Sequence, residues 1–257
     1  MSKPIRESAE RRPSSPLWAF ALRNTRELLR DPLTLAFGLG FPLVLLLLLS
    51  AIQAGIPVSL FEIDHLTPGI TVFGLSFLTL FSATVLAKDR STSLLQRLYT
   101  TPLTPAAFIL GYTLPILPMA LAQSAVCYAV ALLLGLTPTV HILAALAFIL
   151  PVSLLYVALG LLFGSILSEK QVGGICGGLL TNLAAWLSGT WFDLALVGEG
   201  FRTAAYALPF VHAVELERAV LAGRYGDILP HLWVVLAYAV ATLAAAILLF
   251  LRQMKRQ

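Results

Sequence analysis

The sequence KDRSTSLLQRLYTTPLT, residues 88–104, is a charged stretch between two long apolar runs. Both runs are long enough to cross a bilayer, so the stretch must lie at a membrane face. Asp89 would cap the first turn of a short helix here, Arg97 would sit in its last turn, and Thr101-Pro102 would end it. One side of this helix is apolar, formed by Leu94, Leu95 and Leu98. The spacing predicts an amphipathic handle for a soluble partner; the alternative is a solvated loop that only joins two helices.

The composition is that of an integral membrane protein. Of the 257 residues, 58% are hydrophobic and 12% are charged, and the mean hydropathy is +0.88. Soluble domains carry about twice that charged fraction. Residues 1–15 are polar and basic, without the apolar core and cleavage site of a secretory signal, and are expected to form a disordered tail.

Residues 16–31 mix apolar side chains with arginines. This pattern predicts an amphipathic helix at the membrane interface, with Arg23, Arg26 and Arg30 directed toward anionic headgroups. The alternative is an ordinary juxtamembrane segment whose positive charge stops translocation.

Six apolar segments, each of about 20 residues or more, predict six transmembrane helices. They cover residues 33–53, 68–87, 106–134, 140–167, 172–191 and 230–251, within one domain of residues 32–252 that a tail at 253–257 follows. Pro115 and Pro118 are expected to kink the third helix. A capping side chain before a proline predicts the start of four helices: Asp31-Pro32, Thr67-Pro68, Thr104-Pro105 and Thr137-Pro138.

The basic residues predict the orientation. Six crossings put both termini on one side, where residues 1–31 carry seven basic residues, 88–104 three, 168–171 one and 252–257 three. That side holds 14 of the 17 basic residues, so the positive-inside rule places both termini and the 88–104 stretch in the cytoplasm. The net charge of +4 thus reflects topology and not nucleic-acid binding.

The predicted crossings indicate that the chain has no energy source of its own. Their central portions lack Asp, Glu, Lys and Arg, which a transporter that works by titration needs at membrane depth. The four lysines do not follow glycines, so there is no GxxxxGK[ST] phosphate loop. Cys127 and Cys176 lie inside crossings and are expected to be packed thiols without metal-ligand spacing.

Two crossings carry side chains that could line a path for a substrate. Phe73, Phe77 and Phe81 fall four apart on one face of the second, although such aromatic stripes also serve packing. The fifth carries Asn182 and Trp186; Asn182 would line a path or bond a neighbouring helix. Small-residue pairs there and at Gly160 and Gly164 favour close helix contact within one bundle over a dimer face.

Residues 192–229 are too long for a plain loop and predict short helices that dip into the outer leaflet. Residues 211–222 read as an amphipathic helix in which Glu215 and Arg218 stand three apart. An external gate at Glu215, Glu217 and Arg218 is one interpretation, and a surface helix is the other.

Two segments resemble the membrane subunit of ABC-2-type exporters, the class of drug-resistance, nodulation-factor and polysaccharide-export permeases. Asp89-Arg90, the three leucines and Thr101-Pro102-Leu103-Thr104 follow the order of that family's segment after the second crossing. Ser91-Thr92-Ser93 stands where the family has Gly-Thr. Before the last crossing, the resemblance continues at Leu208-Pro209, Glu217 and Gly223.

The resemblance implies an all-α integral membrane fold with an N-terminal interfacial helix, a cytoplasmic coupling helix and external re-entrant helices. Two copies, identical or related, would pair in a prokaryotic plasma membrane with two ATP-binding subunits, which would hold ATP and Mg; this chain would bind no cofactor and would not be an enzyme. The cargo would be a drug, lipid or other amphiphile. The implied coupling residues are Asp89, Arg90, Leu94, Leu95, Arg97 and Leu98.

Three other classes of function compete with this one. A secondary transporter is disfavoured by the missing charges and by the lack of a clear inverted repeat. An intramembrane hydrolase could use Ser76 or Ser188, but His141 and His231 lie at the ends of crossings. A membrane assembly subunit without transport activity is the third.

Overall fold

The fold is described by a computed structural model that covers residues 16–56, 58–92 and 104–254. Within these ranges the regular secondary structure is helical and contains no β-strand, which confirms the predicted all-α class. The α-helices of the described ranges are α1 (Pro16–Arg30), α2 (Pro32–Leu35), α3 (Phe41–Gly55), α4 (Ile63–Ser91), α5 (Pro105–Thr113), α6 (Ile116–Leu133), α7 (His141–Ile166), α8 (Glu169–Val172), α9 (Thr181–Leu187), α10 (Glu199–Tyr206), α11 (Pro209–Leu221) and α12 (Tyr225–Met254).

Five of the helical segments in the described ranges are long and apolar enough to cross a membrane. They are Pro32–Gly55, Ile63–Ser91, Ala106–Leu133, His141–Ile166 and Tyr225–Leu249. The first contains α2, a π-helical turn at Ala36–Gly40, and α3. The third is interrupted at Leu114 and Pro115, between α5 and α6. The predicted fifth crossing, residues 172–191, is not among the five.

That segment is a composite helix formed by α8, a π-helical run at Gly173–Leu180, and α9. It runs alongside α4 from one end to the other. The side chain of Glu169 lies 3.5 Å from that of Ser91 at the end of α4, and Thr190 lies against Gly69 near its beginning. The composite helix therefore extends along most of α4, and six crossings remain our prediction.

Helices α4 and α7 form the centre of the bundle. Gly160 and Gly164 of α7 allow this contact, because a Cβ atom at Gly160 would lie 2.5 Å from Ser82 Cβ and 2.6 Å from the Thr79 carbonyl oxygen. The prediction that these glycines serve packing within one bundle is confirmed. By contrast, one side of α1 is exposed: its Trp18, Leu22 and Leu29 side chains lie on the surface of the chain.

The capping predictions are half correct. Asp31 accepts a hydrogen bond from the Leu33 amide at 3.1 Å, and Thr104 accepts one from Ala107 at 3.2 Å. Thr67 does not cap a helix, because α4 begins four residues earlier and the Thr67 hydroxyl bonds to the Ile63 carbonyl. The helix start predicted at Thr137-Pro138 is also wrong, because α7 begins at His141.

The two prolines of the third crossing accompany its interruption. Pro115 separates α5 from α6, as predicted. Pro118 lies in the first turn of α6 and lacks the amide that would bond the Leu114 carbonyl, so the interruption agrees with the kink predicted for both prolines. Beyond the composite helix, α10 and α11 confirm the short helices predicted for residues 192–229.

Candidate functional site

Buried charged groups gather at the two ends of α4. At the Ser91 end, Arg23, Asp89 and Tyr112 form a group that we call the Asp89 network. At the Ile63 end, His65, Gly189, Glu215 and Arg218 form the Arg218 network. Two predicted coupling residues, Asp89 and Arg90, therefore lie at the opposite end of one central helix from two predicted gate residues, Glu215 and Arg218.

The Asp89 network joins three helices. Arg23 of α1 donates from Nη1 to Asp89 Oδ2 at 2.6 Å and from Nη2 to Oδ1 at 2.8 Å. Tyr112 of α5 donates its hydroxyl to the same Oδ2 at 2.8 Å, and Asp89 itself is only 1% exposed. A two-pronged arginine–carboxylate pair fixes orientation as well as distance. The network therefore holds α1 and α5 at a defined position against the last turn of α4.

Further contacts brace α1 in this position. The Glu27 carboxylate forms ion pairs with Arg23, at 2.7 Å, and with Lys88, at 2.5 Å. Asn24 is buried and donates to the Gly111 carbonyl at 3.0 Å. Partial burial acts to lower the pKa of Arg23, but the hydrogen bond and charge of Asp89, together with Glu27, raise it overall. Arg23 thus remains charged and directed into the protein, which corrects the prediction that it faces lipid headgroups.

Asp89 and Arg90 do not occupy the positions that the sequence predicts. Helix α4 continues to Ser91, so Asp89 lies in its last turn and does not cap a new helix. Arg90 donates to the carbonyl oxygens of Gly164 and Leu167, at 2.7 and 3.2 Å, and so bonds the last turn of α7. Both residues hold helices of this chain together, and a direct contact of either with a partner remains a prediction.

The other predicted coupling residues, Leu94, Leu95, Arg97 and Leu98, lie outside the described residues. The described chain stops at Thr92 and continues from Thr104. The helices before and after these two residues, α4 and α5, both belong to the Asp89 network. Helices α4 and α5, which flank residues 93–103, are therefore held together by one buried carboxylate.

The Arg218 network ties α11 to α4 and to the end of the composite helix. Arg218 Nη1 bonds Glu215 at 2.9 Å, Nη2 bonds the Gly189 carbonyl at 3.1 Å, and Nε bonds the His65 carbonyl at 3.3 Å. Burial lowers the pKa of Arg218, and the adjacent Glu215 opposes this shift. The predicted pairing of Glu215 with Arg218 is confirmed. A cavity of about 640 Å³ adjoins the pair.

Glu217 lies on a different face of α11. Its side chain is 0% exposed, and neither carboxyl oxygen has a hydrogen-bond partner in the part of the chain that is described. Burial raises the pKa of Glu217 well above its usual range. It does not take part in the Arg218 network, so the three predicted gate residues do not form one cluster.

The aromatic pathway candidates lie inside the bundle. Phe73, Phe77 and Phe81 are all buried, and Phe77 contacts Phe37 and Phe41 with ring centroids 5.7 and 5.6 Å apart. Within one copy of the chain, these rings form part of the packing core. Asn182 and Trp186 lie one turn apart on the exposed side of α9, and Asn182 bonds the Gly178 carbonyl of its own helix. They face away from the bundle, where a second subunit or a path could lie.

A groove separates α1 from the membrane helices at the Ser91 end. Its volume is about 830 Å³, and its walls include Phe37, Phe81 and Val85. Its charged rim is formed by Arg23, Arg26, Glu27, Arg30, Asp31 and Lys88. An apolar wall next to a net positive rim suits a molecule with one apolar and one acidic part.

The remaining polar side chains of the described ranges include the cysteines, histidines and serines that the sequence analysis considered. Cys127 and Cys176 are free and buried, as predicted, and the described residues contain no group of three or more potential metal ligands. His231 bonds His212, Nδ1 to Nδ1, at 2.9 Å, and His141 bonds Tyr225. The serines of the hydrolase alternative bond elsewhere or have no partner in the described chain: Ser188 bonds Ala185 and Thr190, and Ser76 Oγ is unpartnered.

The sequence model of the ABC-2 type transporter family matches residues 16–222, which contain both polar networks and every helix from α1 to α11. The chain belongs to the ABC-2 type transporter family. No curated protein matches the sequence. As a member of this family, the chain is a multi-pass membrane protein and the permease component of an ABC transporter, and it works with an ATP-binding subunit.

The family match bears on the role of the Asp89 network. In an ABC-2 type transporter the membrane component generally carries no catalytic site. Sequence reasoning found Asp89 but missed its partners Arg23 and Tyr112, which lie 66 and 23 positions away along the chain. The only signal for Arg23 in the sequence is its position on the same helical side as Phe20, which is buried.

Proposed function

We propose that this chain is the membrane subunit of an exporter for an amphiphilic substrate, a drug or a lipid, driven by ATP that a separate subunit hydrolyses. The family supplies the permease role. The observation that carries the rest is the Asp89 network, because one buried carboxylate at the start of the 93–103 connector joins three helices. A force on this connector would be transmitted to α1, α4 and α5 together.

The connector is the proposed coupling element. Leu94, Leu95 and Leu98 would insert into the ATP-binding subunit, with Arg97 beside them. Asp89 and Arg90 then have a supporting role: Asp89 links α4 to α1 and α5, and Arg90 links α4 to the end of α7. Movement of the connector would thus shift four helices as a unit.

The groove beside α1 supports an amphiphilic substrate. Its apolar wall includes Phe37, Phe81 and Val85, and its rim carries Arg26 and Arg30, both exposed. Phe77 of the aromatic core contacts Phe37 of this wall, with ring centroids 5.7 Å apart, and Phe73 packs against Phe77. At the other end of α4, the Glu215–Arg218 pair is the proposed external gate, because it fastens α11 to two neighbouring segments.

The proposed assembly contains two copies of this chain, or this chain and a relative, with two ATP-binding subunits that hold ATP and Mg. The exposed face of α9 with Asn182 and Trp186 is available to the second copy or to the path. With six crossings and the observed charge distribution, both termini lie in the cytoplasm of a prokaryotic cell, in its plasma membrane.

Co-purification followed by reconstitution tests this proposal. An exporter subunit should bring down an ATP-binding subunit in equal number, and the reconstituted pair should move a fluorescent amphiphile only with ATP and Mg. Transport by this chain alone, in a proton or sodium gradient, would favour a secondary transporter. A stable complex that shows no substrate-stimulated ATPase activity would favour an assembly subunit.

A further inference from the structure

Glu217 is a carboxylic acid enclosed by helices. Its element, α11, packs against α4, α7 and α12, and its neighbours one turn away on the same side, Ala213, Val214 and Leu221, are buried and apolar. The side chain has 0% exposure, and its two oxygens have no hydrogen-bond partner among the residues described. A carboxylate in such a place would have neither water nor a counter-charge.

Tyr128 of α6 is also buried, and its hydroxyl has no hydrogen-bond partner in the described ranges. A tyrosine hydroxyl is uncharged at neutral pH, so it offers Glu217 no counter-charge.

The other titratable groups on these elements are engaged elsewhere. On α11 itself, Arg218 pairs with Glu215. Groups on the neighbouring helices also have partners. His231 bonds His212, and Tyr238 donates to the Ala207 carbonyl. Asp227 pairs with Arg224, and Glu199 pairs with Arg202. His65 and Asp64 of α4 line one cavity together with Arg218, and the Tyr156 ring of α7 lies tilted against that of Phe210, with centroids 6.3 Å apart.

An ionised Glu217 in this position would be an unpaired charge in a low-dielectric interior, and proteins avoid that state by shifting the pKa and keeping the group neutral. The packed position of α11 therefore favours the protonated carboxyl group. Any arrangement of α11 that exposed the group to water would bind this proton less tightly.

We propose that Glu217 is a proton-binding site, and that the bound proton holds α11 in its packed position at the Ile63 end of the bundle. The ligand is the proton itself. Because release of the proton requires hydration of the carboxyl group, acidity favours the packed position and alkalinity favours its loosening. This inference goes beyond the ATP-driven function and needs no partner subunit.

The sign and size of the effect follow from linkage. Between the pKa of a hydrated glutamate, about 4.3, and the raised pKa of the packed state, the packed state binds one proton more. Within that window, each unit of rising pH lowers the equilibrium constant for packing by up to about tenfold. Below the window the proton is bound in both states and the dependence disappears.

Infrared spectroscopy of the full chain in lipid nanodiscs at neutral pH tests the site directly. The wild type should show the C=O stretching band of a protonated carboxyl group, shifted in D₂O. Glu217→Gln should lose this band, and Glu199→Gln, an exposed acid on the neighbouring α10, should keep it. A wild-type spectrum without the band, or a band that survives in Glu217→Gln, would overturn the proposal.

Thermal unfolding in detergent between pH 5 and pH 8 tests the link to packing. The midpoint of the wild type should fall relative to that of Glu217→Gln as the pH rises, and Glu199→Gln should follow the wild type. The His212–His231 pair is present in all three proteins, so its own titration cancels in the comparison. Identical pH dependence in the wild type and Glu217→Gln would show that the proton does not hold α11.

Discussion

Arg23 and Asp89 are separated by 66 positions and joined by two hydrogen bonds of 2.6 and 2.8 Å. This pair connects a helix that precedes the membrane domain to the end of the most enclosed helix within it. Together with Tyr112, it holds α1, α4 and α5 of this ABC-2 type transporter chain together, next to the proposed coupling segment.

Replacing Asp89 by Asn is expected to destabilise the chain by about 2–4 kcal/mol, because the buried Arg23 bonds lose their charge and the Tyr112 hydroxyl loses part of its acceptor. Arg23→Lys should have a smaller effect, since an ammonium group makes one directed contact where the guanidinium makes two. Thermal unfolding in detergent measures both. Glu27→Gln is the control, because Glu27 pairs with Arg23 but not with Asp89. If Glu27→Gln lost as much stability as Asp89→Asn, Asp89 would not be the central residue of the network.

Gly160→Ala is expected to prevent normal packing of α7 on α4. The added Cβ would lie 2.5 Å from Ser82 Cβ and 2.6 Å from a backbone oxygen that cannot move alone. Gly178→Ala is the matched control, because a Cβ there meets nothing within 4 Å. The yield of monodisperse protein and its unfolding midpoint should fall only for the first. A marked loss in Gly178→Ala would instead reveal a contact with a second subunit.

Arg218→Met should loosen the Ile63 end by about 2–4 kcal/mol, since it removes three hydrogen bonds and leaves the Gly189 and His65 carbonyls without their donor. Arg218→Lys should recover only part of the loss. Hydrogen–deuterium exchange of residues 186–222 provides the readout. Equal protection in Arg218→Met and the wild type would remove the Arg218 network as a fastening of α11.

Leu95→Asp should uncouple the transporter. The charge would fall on the apolar side of the predicted connector helix, while insertion of the flanking helices should not depend on it. We expect substrate-stimulated ATPase activity of the reconstituted complex to fall at least about tenfold, the loss that corresponds to about 1.4 kcal/mol. Gln96→Asp adds the same charge on the neighbouring polar side and should have little effect. Similar activities for both variants would place the contact elsewhere.

Single cysteines should reveal whether the composite helix crosses the membrane. In a background with Cys127 and Cys176 replaced by Ala, Glu169→Cys and Ser91→Cys should react with an impermeant reagent from the same side. Leu196→Cys should react from the opposite side. Labelling of Glu169→Cys and Leu196→Cys from one side would reduce the number of crossings to five and would separate the two termini.

The sequence was sufficient for features that depend on neighbouring residues. Helix α7 lies within one residue of the predicted 140–167, and Asp31 and Thr104 cap as expected. Thr67-Pro68 failed because the preceding residues extend α4, so that Pro68 lies inside the helix and lacks the amide that would bond the Asp64 carbonyl. The same local signal therefore marks a helix start in one place and a helix interior in another.

Features that depend on distant residues were not predictable. Nothing near Asp89 indicates that Arg23 will bind it, and the alternation of arginine with apolar residues in α1 equally fits a helix directed at headgroups. Glu217 lies in a pattern that predicts a charged surface face, but the contacts of α11 with α4, α7 and α12 bury that face. Both cases required the tertiary arrangement.

The π-helical run at Gly173–Leu180 gives the composite helix an unusual mechanical property. Hydrogen bonds in a π-helix reach one residue further than in an α-helix, so each residue turns the chain through a smaller angle. If the run tightened into α-helix, everything beyond it would rotate about the helix axis without a break in the chain. Asn182 and Trp186 would then point in a different direction about the helix axis, and other side chains would take their exposed positions.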